Sequence, residues 1–385
     1  MSSLRKVCIV VASRANYGRI KSVMSAVKAH PDLQLQIVVG ASALLYRFGN
    51  VVEVMKADGF EPDASCHMVV EGNAPASMAK STGLGIIDLS TVFEMLKPDV
   101  VVTVADRYET LATAVAASFL NIPLAHTQGG ELTGSIDESV RHAITKLAHI
   151  HLTTNAESAA IIRQMGEAED TIHVCGCPAI DLAAEARGAR TEDLFRAYGG
   201  VGEQLDWNKP FIVVLQHPVT TEFGQGREQI MQTISAVRRV GMQTVWLWPN
   251  VDAGTDDVSK ALREFQIRHG DVPIHFFRNF RPEDYVRLID RAACLVGNSS
   301  SGIREGAYLG VPVVNIGTRQ NARERGRNVI DTLYDAGAIE AAIRTQLDHG
   351  KYPSDAIYGD GKAGVRIANL LATAPLSITK EFVRA

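Results

Sequence analysis

Short runs of apolar, mostly β-branched residues recur at Val7 to Val11, Leu35 to Val39, Val100 to Val104, Ile122 to His126 and Ile150 to Thr153. Between them the apolar positions take helical spacing. Runs that are apolar at every position, rather than at alternate ones, predict strands covered on both faces, as in a parallel sheet with crossover helices. The second half repeats the theme at Phe211 to Leu215, Thr244 to Leu247, Ile274 to Phe276, Ala292 to Val296 and Val313 to Ile316. The pattern predicts an α/β protein with two Rossmann-like sheets.

Length supports the division, because 385 residues exceed what one hydrophobic core serves. The stretch from Glu185 to Pro210 is rich in Ala, Arg, Gly and acids and closes on Trp207 and Pro210, so the boundary is expected just after Cys177-Pro178. We expect a first domain over 1–178, a second over 179–361, and a final segment, 362–385, whose periodic part Lys362 to Leu371 forms a helix crossing back onto the first domain. A ligand site belongs in the cleft between the two.

Composition removes several classes of function. A net charge of −4 does not favour nucleic acid or an anionic membrane, so any anionic ligand must be met by local arginines. No run of about 18 apolar residues occurs, and the N-terminus enters a strand without a cleavage pattern, so a soluble, cytoplasmic protein is expected. The five cysteines form no CxxC pair and read as reduced structural thiols. His149 and His151 share one face of a strand, but no third ligand accompanies them and no metal is expected. The turn after the first strand, Ser13-Arg14-Ala15-Asn16-Tyr17-Gly18-Arg19, lacks GxGxxG, so no dinucleotide cofactor is expected.

The segment Gly297 to Gln320, GNSSSGIREGAYLGVPVVNIGTRQ, carries the most chemistry. A strand runs into small residues and then a helix, leaving backbone N–H groups and hydroxyls at a helix N-terminus suited to a diphosphate. Glu305, about one turn inside that helix, can accept from a ribose. A second strand delivers Thr318 and Arg319 to the same sheet edge, where open α/β sheets bind ligands. The plainer reading, a strand-to-helix connection with a good N-cap, needs neither the arginines nor the second strand.

Opposite in kind are the acids. Asp106-Arg107 ends one core strand, and His126-Thr-Gln-Gly-Gly-Glu131, Asp137-Glu138 and Arg141-His142 follow the next. Clustered carboxylates at loop ends suit general acid–base work, since repulsion and partial burial push their pKa values apart. His217, before a proline and a threonine pair, ends a strand of the second half, and Arg14 ends the first strand where a phosphate could face it.

With these residues assembled, the chain resembles the hydrolysing branch of the UDP-N-acetylglucosamine 2-epimerases, including the epimerase domain of the bifunctional animal enzyme. The resemblance runs from Val7 to about Leu371. It is carried by SRANYG, ADRYETLA, GGELTGSIDESVRHAITKLAH, GCPAID, LQHPVTT, PNVDAG, GNSSSGIRE, GTRQ and IYGDG. It implies a GT-B fold with the active site between the domains, and no metal or redox cofactor. It implies that Ser299 and Ser300 bind the diphosphate, Glu305 the ribose, Arg14 and Arg319 the phosphates, and that Asn250 and Phe280 border the uridine. Asp106, Asp137 and His217 take catalytic positions, while Glu131 and Arg141 frame the sugar beside Arg107.

One position departs from the family. Gln128 stands where many relatives carry a catalytic glutamate, so that role is dispensable or falls to Glu131 or Asp137. The implied reaction converts UDP-N-acetylglucosamine and water to N-acetylmannosamine and UDP through 2-acetamidoglucal, for sialic-acid synthesis. A UDP-diacetamido sugar or a GDP-linked sugar on a legionaminic-acid route is the alternative within the family, and a GT-B glycosyltransferase the alternative outside it. The partner is a nucleotide sugar, and the protein is expected to be a homodimer or homotetramer.

Overall fold

The computed structural model describes residues 4–46, 49–72, 74–189, 192–249, 252–268 and 272–384. The first sheet contains β1 (Arg5–Val11), β2 (Leu33–Gly40), β3 (Ala64–Cys66), β4 (Val100–Val104), β5 (Leu124–Thr127), β6 (Ile150–Thr153) and β7 (Ile172–Val174), in the order β3-β2-β1-β4-β5-β6-β7 and parallel throughout. The second contains β8 (Val201–Gly202), β9 (Ile212–Leu215), β10 (Thr244–Leu247), β11 (Ile274–Phe277), β12 (Cys294–Gly297), β13 (Val313–Ile316) and β14 (Val329–Thr332), in the order β14-β13-β12-β9-β10-β11-β8. Only β8 runs antiparallel, against β11.

The expected central strands are all present, each buried at every or nearly every position. Packed apolar clusters lie on both faces of each sheet, as two-sided runs require. Trp246 is buried in one of them, stacked on Phe276 with ring centroids 5.9 Å apart. All five cysteines are buried free thiols. No helix among the described residues is long and apolar enough to cross a membrane.

Strand order places the site. In the first sheet the chain reverses direction of travel between β1 and β4; in the second it reverses between β9 and β12. Loops leaving adjacent strands at such a switch point diverge and open a crevice at the carboxyl ends. Those four loops carry Ser13-Arg14, Ala105-Asp106, Gln216-His217 and Asn298-Ser299. The halves meet there through Arg14, whose Nη1 donates to the Arg278 carbonyl at 3.1 Å, and through Gly134, whose N–H donates to the Arg319 carbonyl at 3.2 Å.

Near the C-terminus, the helix Ala363–Thr373 packs on Arg14–Ala29 and contributes Ile367, Ala368 and Leu371 to the first sheet's core. Gly364 sits so close that a Cβ would lie 2.7 Å from the Ser22 backbone. The segment beyond it straps the far edge of that sheet. The Ile378 carbonyl lies 3.2 Å from His149 Nε2, Lys380 pairs with Glu167 at 2.7 Å, and Val383 N–H donates to the Gly166 carbonyl at 2.9 Å.

Candidate active site

The side expected to bind an anion begins at Gly297, whose φ of +133° and close approach to β9 exclude any side chain: a Cβ would lie 2.1 Å from the Leu215 carbonyl. This lets Asn298 bind the neighbouring loop. Its amide accepts from His217 N–H at 2.7 Å and donates to the His217 carbonyl at 2.9 Å, fixing the histidine loop against the serine loop. Arg319 Nη1 and Gln320 Nε2 both donate to the Asn298 carbonyl, at 3.2 and 2.9 Å. His217, Ser299, Ser300, Glu305, Arg14 and Arg319 thereby line one cavity, with Phe280 on its wall among Tyr198 and Phe277. Asn250 lies outside the described residues.

The helix expected after the serines is broken. It forms Ser300–Ile303 and Glu305–Leu309, interrupted at Arg304 with φ −88° and ψ −72°. Segments this short sum few peptide dipoles, so a diphosphate here depends on arginines and hydroxyls more than on a macrodipole. The hydroxyls are organised: Ser299 meets Ser301 at 2.8 Å, Tyr285 meets Ser301 at 2.6 Å, and Arg19 donates to Ser300 Oγ at 2.7 Å. Burial raises the pKa of Glu305 against the opposing pull of Arg304 and Arg19.

Beneath the loops expected to grip the sugar lies a buried ion network. Asp106 pairs with Arg141 and is 4.0 Å from Arg323. Glu131 accepts from Arg304 and, at 2.7 Å, from Arg323. Arg141 also donates to the Glu131 carbonyl at 2.7 Å. Burial alone would raise the pKa of Asp106, but Arg141, Arg19, Arg323 and Arg304 outweigh it and hold the carboxyl well below its usual range. Glu131 is lowered in the same way: burial opposes, and Arg304, Arg323 and Arg141 prevail.

Asp137 differs. It starts the helix Ile136–Leu147, where the Ser135 hydroxyl accepts from its N–H, and its carboxylate is 3.7 Å from Arg319. Burial and then the Asp106 charge raise its pKa. Two neighbouring carboxylates are therefore shifted in opposite directions. His217 is driven well below its ordinary value by burial and by Arg319, Arg14, Arg107 and Arg19, so it is a neutral hydrogen-bonding group.

Some residues expected against the sugar lie elsewhere. Arg141 and Gln128 are fully buried under the cleft floor. Arg141 is spent on Asp106, and Gln128, held at φ +61°, donates to Cys177 Sγ at 3.2 Å. Arg107 is tied across the cleft to Asp252 at 2.8 Å and to Glu109 at 3.0 Å, beside a cavity of ≈ 1010 Å³ that also touches Arg14 and Trp248. Sequence reasoning missed Arg19, Arg304 and Arg323 as site residues. Arg19 was within sight, five residues after Arg14 in the same turn motif. Arg304 and Arg323 become site residues only through contact with Glu131 from the other half.

Comparison with known proteins gives the family and the fold. A UDP-N-acetylglucosamine 2-epimerase family profile matches residues 25–372. The chain is 36% identical over 373 residues to the UDP-N,N'-diacetylbacillosamine 2-epimerase (hydrolyzing) of Legionella pneumophila, covering 97% of each chain. It is 30% identical over 358 residues to the UDP-N-acetylglucosamine 2-epimerase of Neisseria meningitidis, covering 93% of this chain and 92% of the other. The Methanocaldococcus jannaschii UDP-GlcNAc 2-epimerase crystal structure with UDP-GlcNAc and UDP superposes with a TM-score of 0.80 at 17% identity, over 95% and 99% of the two chains, which identifies the GT-B fold. The chain belongs to the UDP-N-acetylglucosamine 2-epimerase family.

Proposed function

We propose that this protein is a hydrolysing 2-epimerase that converts UDP-N-acetylglucosamine and water to N-acetylmannosamine and UDP. The observation that carries this reading is an arginine- and serine-lined cavity whose Arg319 reaches Asp137 at 3.7 Å and whose Arg19 adds to the field on Asp106, so that two unlike carboxylates adjoin one anion site. A binder of anions would avoid those acids, and groups with divergent pKa values at one cleft suit proton transfer.

The reaction begins with loss of the proton on C2 to Asp137, the stronger base of the two, as the C1–O bond breaks and UDP departs. A C1–C2 double bond results. Arg14, Arg19, Arg319 and the serine hydroxyls stabilise the charge that develops on the diphosphate, and neutral His217 donates to it. Water then adds its hydroxyl to C1, its proton passes by way of Asp106 to the opposite face of C2, and Asp137 releases the proton it took to solvent as UDP leaves. Arg19 both meets Ser300 and depresses Asp106. A diphosphate at Arg19 offsets part of that field, so Asp106 gains basicity when the nucleotide is bound.

The test is incubation with UDP-N-acetylglucosamine in heavy water without any acceptor. UDP and N-acetylmannosamine in equal amounts, with deuterium at C2, are expected. An intact epimerised UDP-sugar would overturn hydrolysis, product without deuterium would overturn elimination, and UDP release only with an acceptor would indicate a glycosyltransferase. The Legionella relative favours a second reading, the same chemistry on a UDP-diacetamido sugar. Assaying that sugar and a GDP-linked one alongside, for nucleotide release, separates the substrates.

A further inference from the structure

Arg304 stands between the two parts of the site. Its backbone is the break between Ser300–Ile303 and Glu305–Leu309, so it adjoins the serine cavity on one side and Glu305 on the other. Its side chain, 1% exposed, leaves that half of the molecule and donates from Nη2 to Glu131 of the first half. Glu131 shares the carboxylate oxygen with Arg323 at 2.7 Å, and Arg323 reaches Asp106. A continuous chain of buried ion pairs thus runs from the anion cavity to the acid of the sugar side. Arg304 Nε and Nη1 are buried and have no acceptor among the described residues, so the side chain keeps donor capacity beyond its pair with Glu131.

Resting on the proposed epimerase reading, we propose that Arg304 is a positioning residue that couples nucleotide occupancy of the serine cavity to the placement of Glu131 and Asp106 on the sugar side. A buried ion pair that loses one partner leaves an uncompensated charge, so a pair spanning two halves holds them in one arrangement. Segment 299–305 cannot shift to grip a diphosphate without carrying Glu131 with it. Arg304 also adds to the field that keeps Glu131 and Asp106 ionised.

The test is a cycle of Arg304→Gln, Glu131→Gln and the double variant, read by calorimetric titration with UDP, which needs no turnover. Arg323 remains on Glu131 in Arg304→Gln, so the carboxylate keeps a partner and the variant is expected to fold. Each single change is expected to weaken UDP binding about fivefold, and the double change no more than either, as contacting residues behave. Independent effects that multiply to about 25-fold, or no effect of either single change, overturn the coupling.

In turnover, Arg304→Gln is expected to lower kcat about 100-fold, as small misplacements at reacting centres do, while KM changes no more than UDP affinity does. Arg304→Lys, which restores the charge, is expected to recover part of kcat. A KM that rises with kcat unchanged, or an Arg304→Lys variant no more active than Arg304→Gln, overturns the positioning role. A wild-type protein that binds no UDP overturns the functional reading, and the inference with it.

Discussion

Asp137 concentrates the chemistry at the residue scale. Its pKa is raised by burial and by Asp106, and lowered by Arg319 and, more weakly, by Arg107. As the proposed base it must be ionised, so activity is expected to be lost as pH falls through its raised value, with the acidic limb above the ordinary aspartate range. Arg319→Gln removes a cation that favours the ionised form and is expected to move the limb of kcat further up. A limb that stays in place or moves down shows that another group controls it. Asp137→Asn should reduce sugar release by at least about 100-fold, the lower range for removal of a general base, with UDP affinity nearly unchanged.

Which residues were legible follows from how each is specified. Asp106, Asp137, His217, Ser299 and Glu305 end core strands or begin helices, and hydrophobic periodicity locates those ends directly. Arg141 and Gln128 read as cleft residues because they share those loops, yet whether a side chain turns outward or down is decided by packing. Arg323 sits in a polar stretch, Asn321 to Arg327, where nothing local separates a solvated arginine from a buried one. Only its approach to Glu131 makes it part of the site.

At the scale of elements, the central strands were readable because burial on both faces demands continuous apolar runs. The edge strands β3, β7, β8 and β14 are two to four residues long and mostly not fully buried, so they carry no such run. The broken helix at Arg304 was equally hidden, since nothing in SSGIREGAYL interrupts a helical pattern. The loop into Ile136–Leu147 gives a sharp test. A Cβ at Gly134 would fall 1.9 Å from the Thr318 carbonyl, which is backbone and cannot swing aside. Gly134→Ala must push the helix bearing Asp137 away from the strand loop bearing Arg319. Activity is expected to fall about 100-fold for a displacement near 1 Å, while circular dichroism stays unchanged. Full activity in this variant would mean that the two loops need not touch during turnover.

The other end of the same helix is held by the C-terminal strap. Lys380 donates to the Thr145 carbonyl at 3.2 Å and to the Ala148 carbonyl, two acceptors at the helix C-terminus, and pairs with Glu167. A cation there complements the exposed carbonyls. Lys380→Met keeps the aliphatic stem and removes the charge, and it is expected to cost about 1 to 3 kcal/mol in denaturant unfolding, the range for hydrogen bonds to charged groups. A midpoint equal to that of the wild type would assign the strap no hold on the helix. Helical periodicity ends at Leu371, so a single lysine nine residues later has no pattern to announce it.

At the scale of the whole molecule, buried ion pairs join the two halves, and together with a core histidine they set the response to acid. His126 lies in the core of the first sheet, its Nε2 2.7 Å from the Ala105 carbonyl and its Nδ1 3.3 Å from the Thr145 hydroxyl. The ring therefore donates from Nε2, accepts at Nδ1, and is neutral. Burial lowers its pKa from an ordinary 6.5 to about 3, with His151 and Arg141 adding to the effect against the Ala105 carbonyl and Asp106. Between those values the unfolded chain binds a proton that the folded protein refuses, so stability rises with pH there. His126 thus contributes full stability above pH 6.5 and loses it as pH falls toward 3. Asp106 and Glu131, with folded values below their unfolded ones, lose their share only at lower pH, as the ion pairs between the halves are protonated. The urea midpoint is expected to decline already between pH 6.5 and 5, before the carboxylates of these ion pairs titrate. In His126→Gln, whose amide can both donate and accept, that early decline should lessen without vanishing, because His217, His149, His151 and His173 are also lowered by burial and act in the same direction. A wild-type midpoint constant from pH 7 to 5, or an early decline unchanged in the variant, would show that this histidine has no part in the first step of acid unfolding.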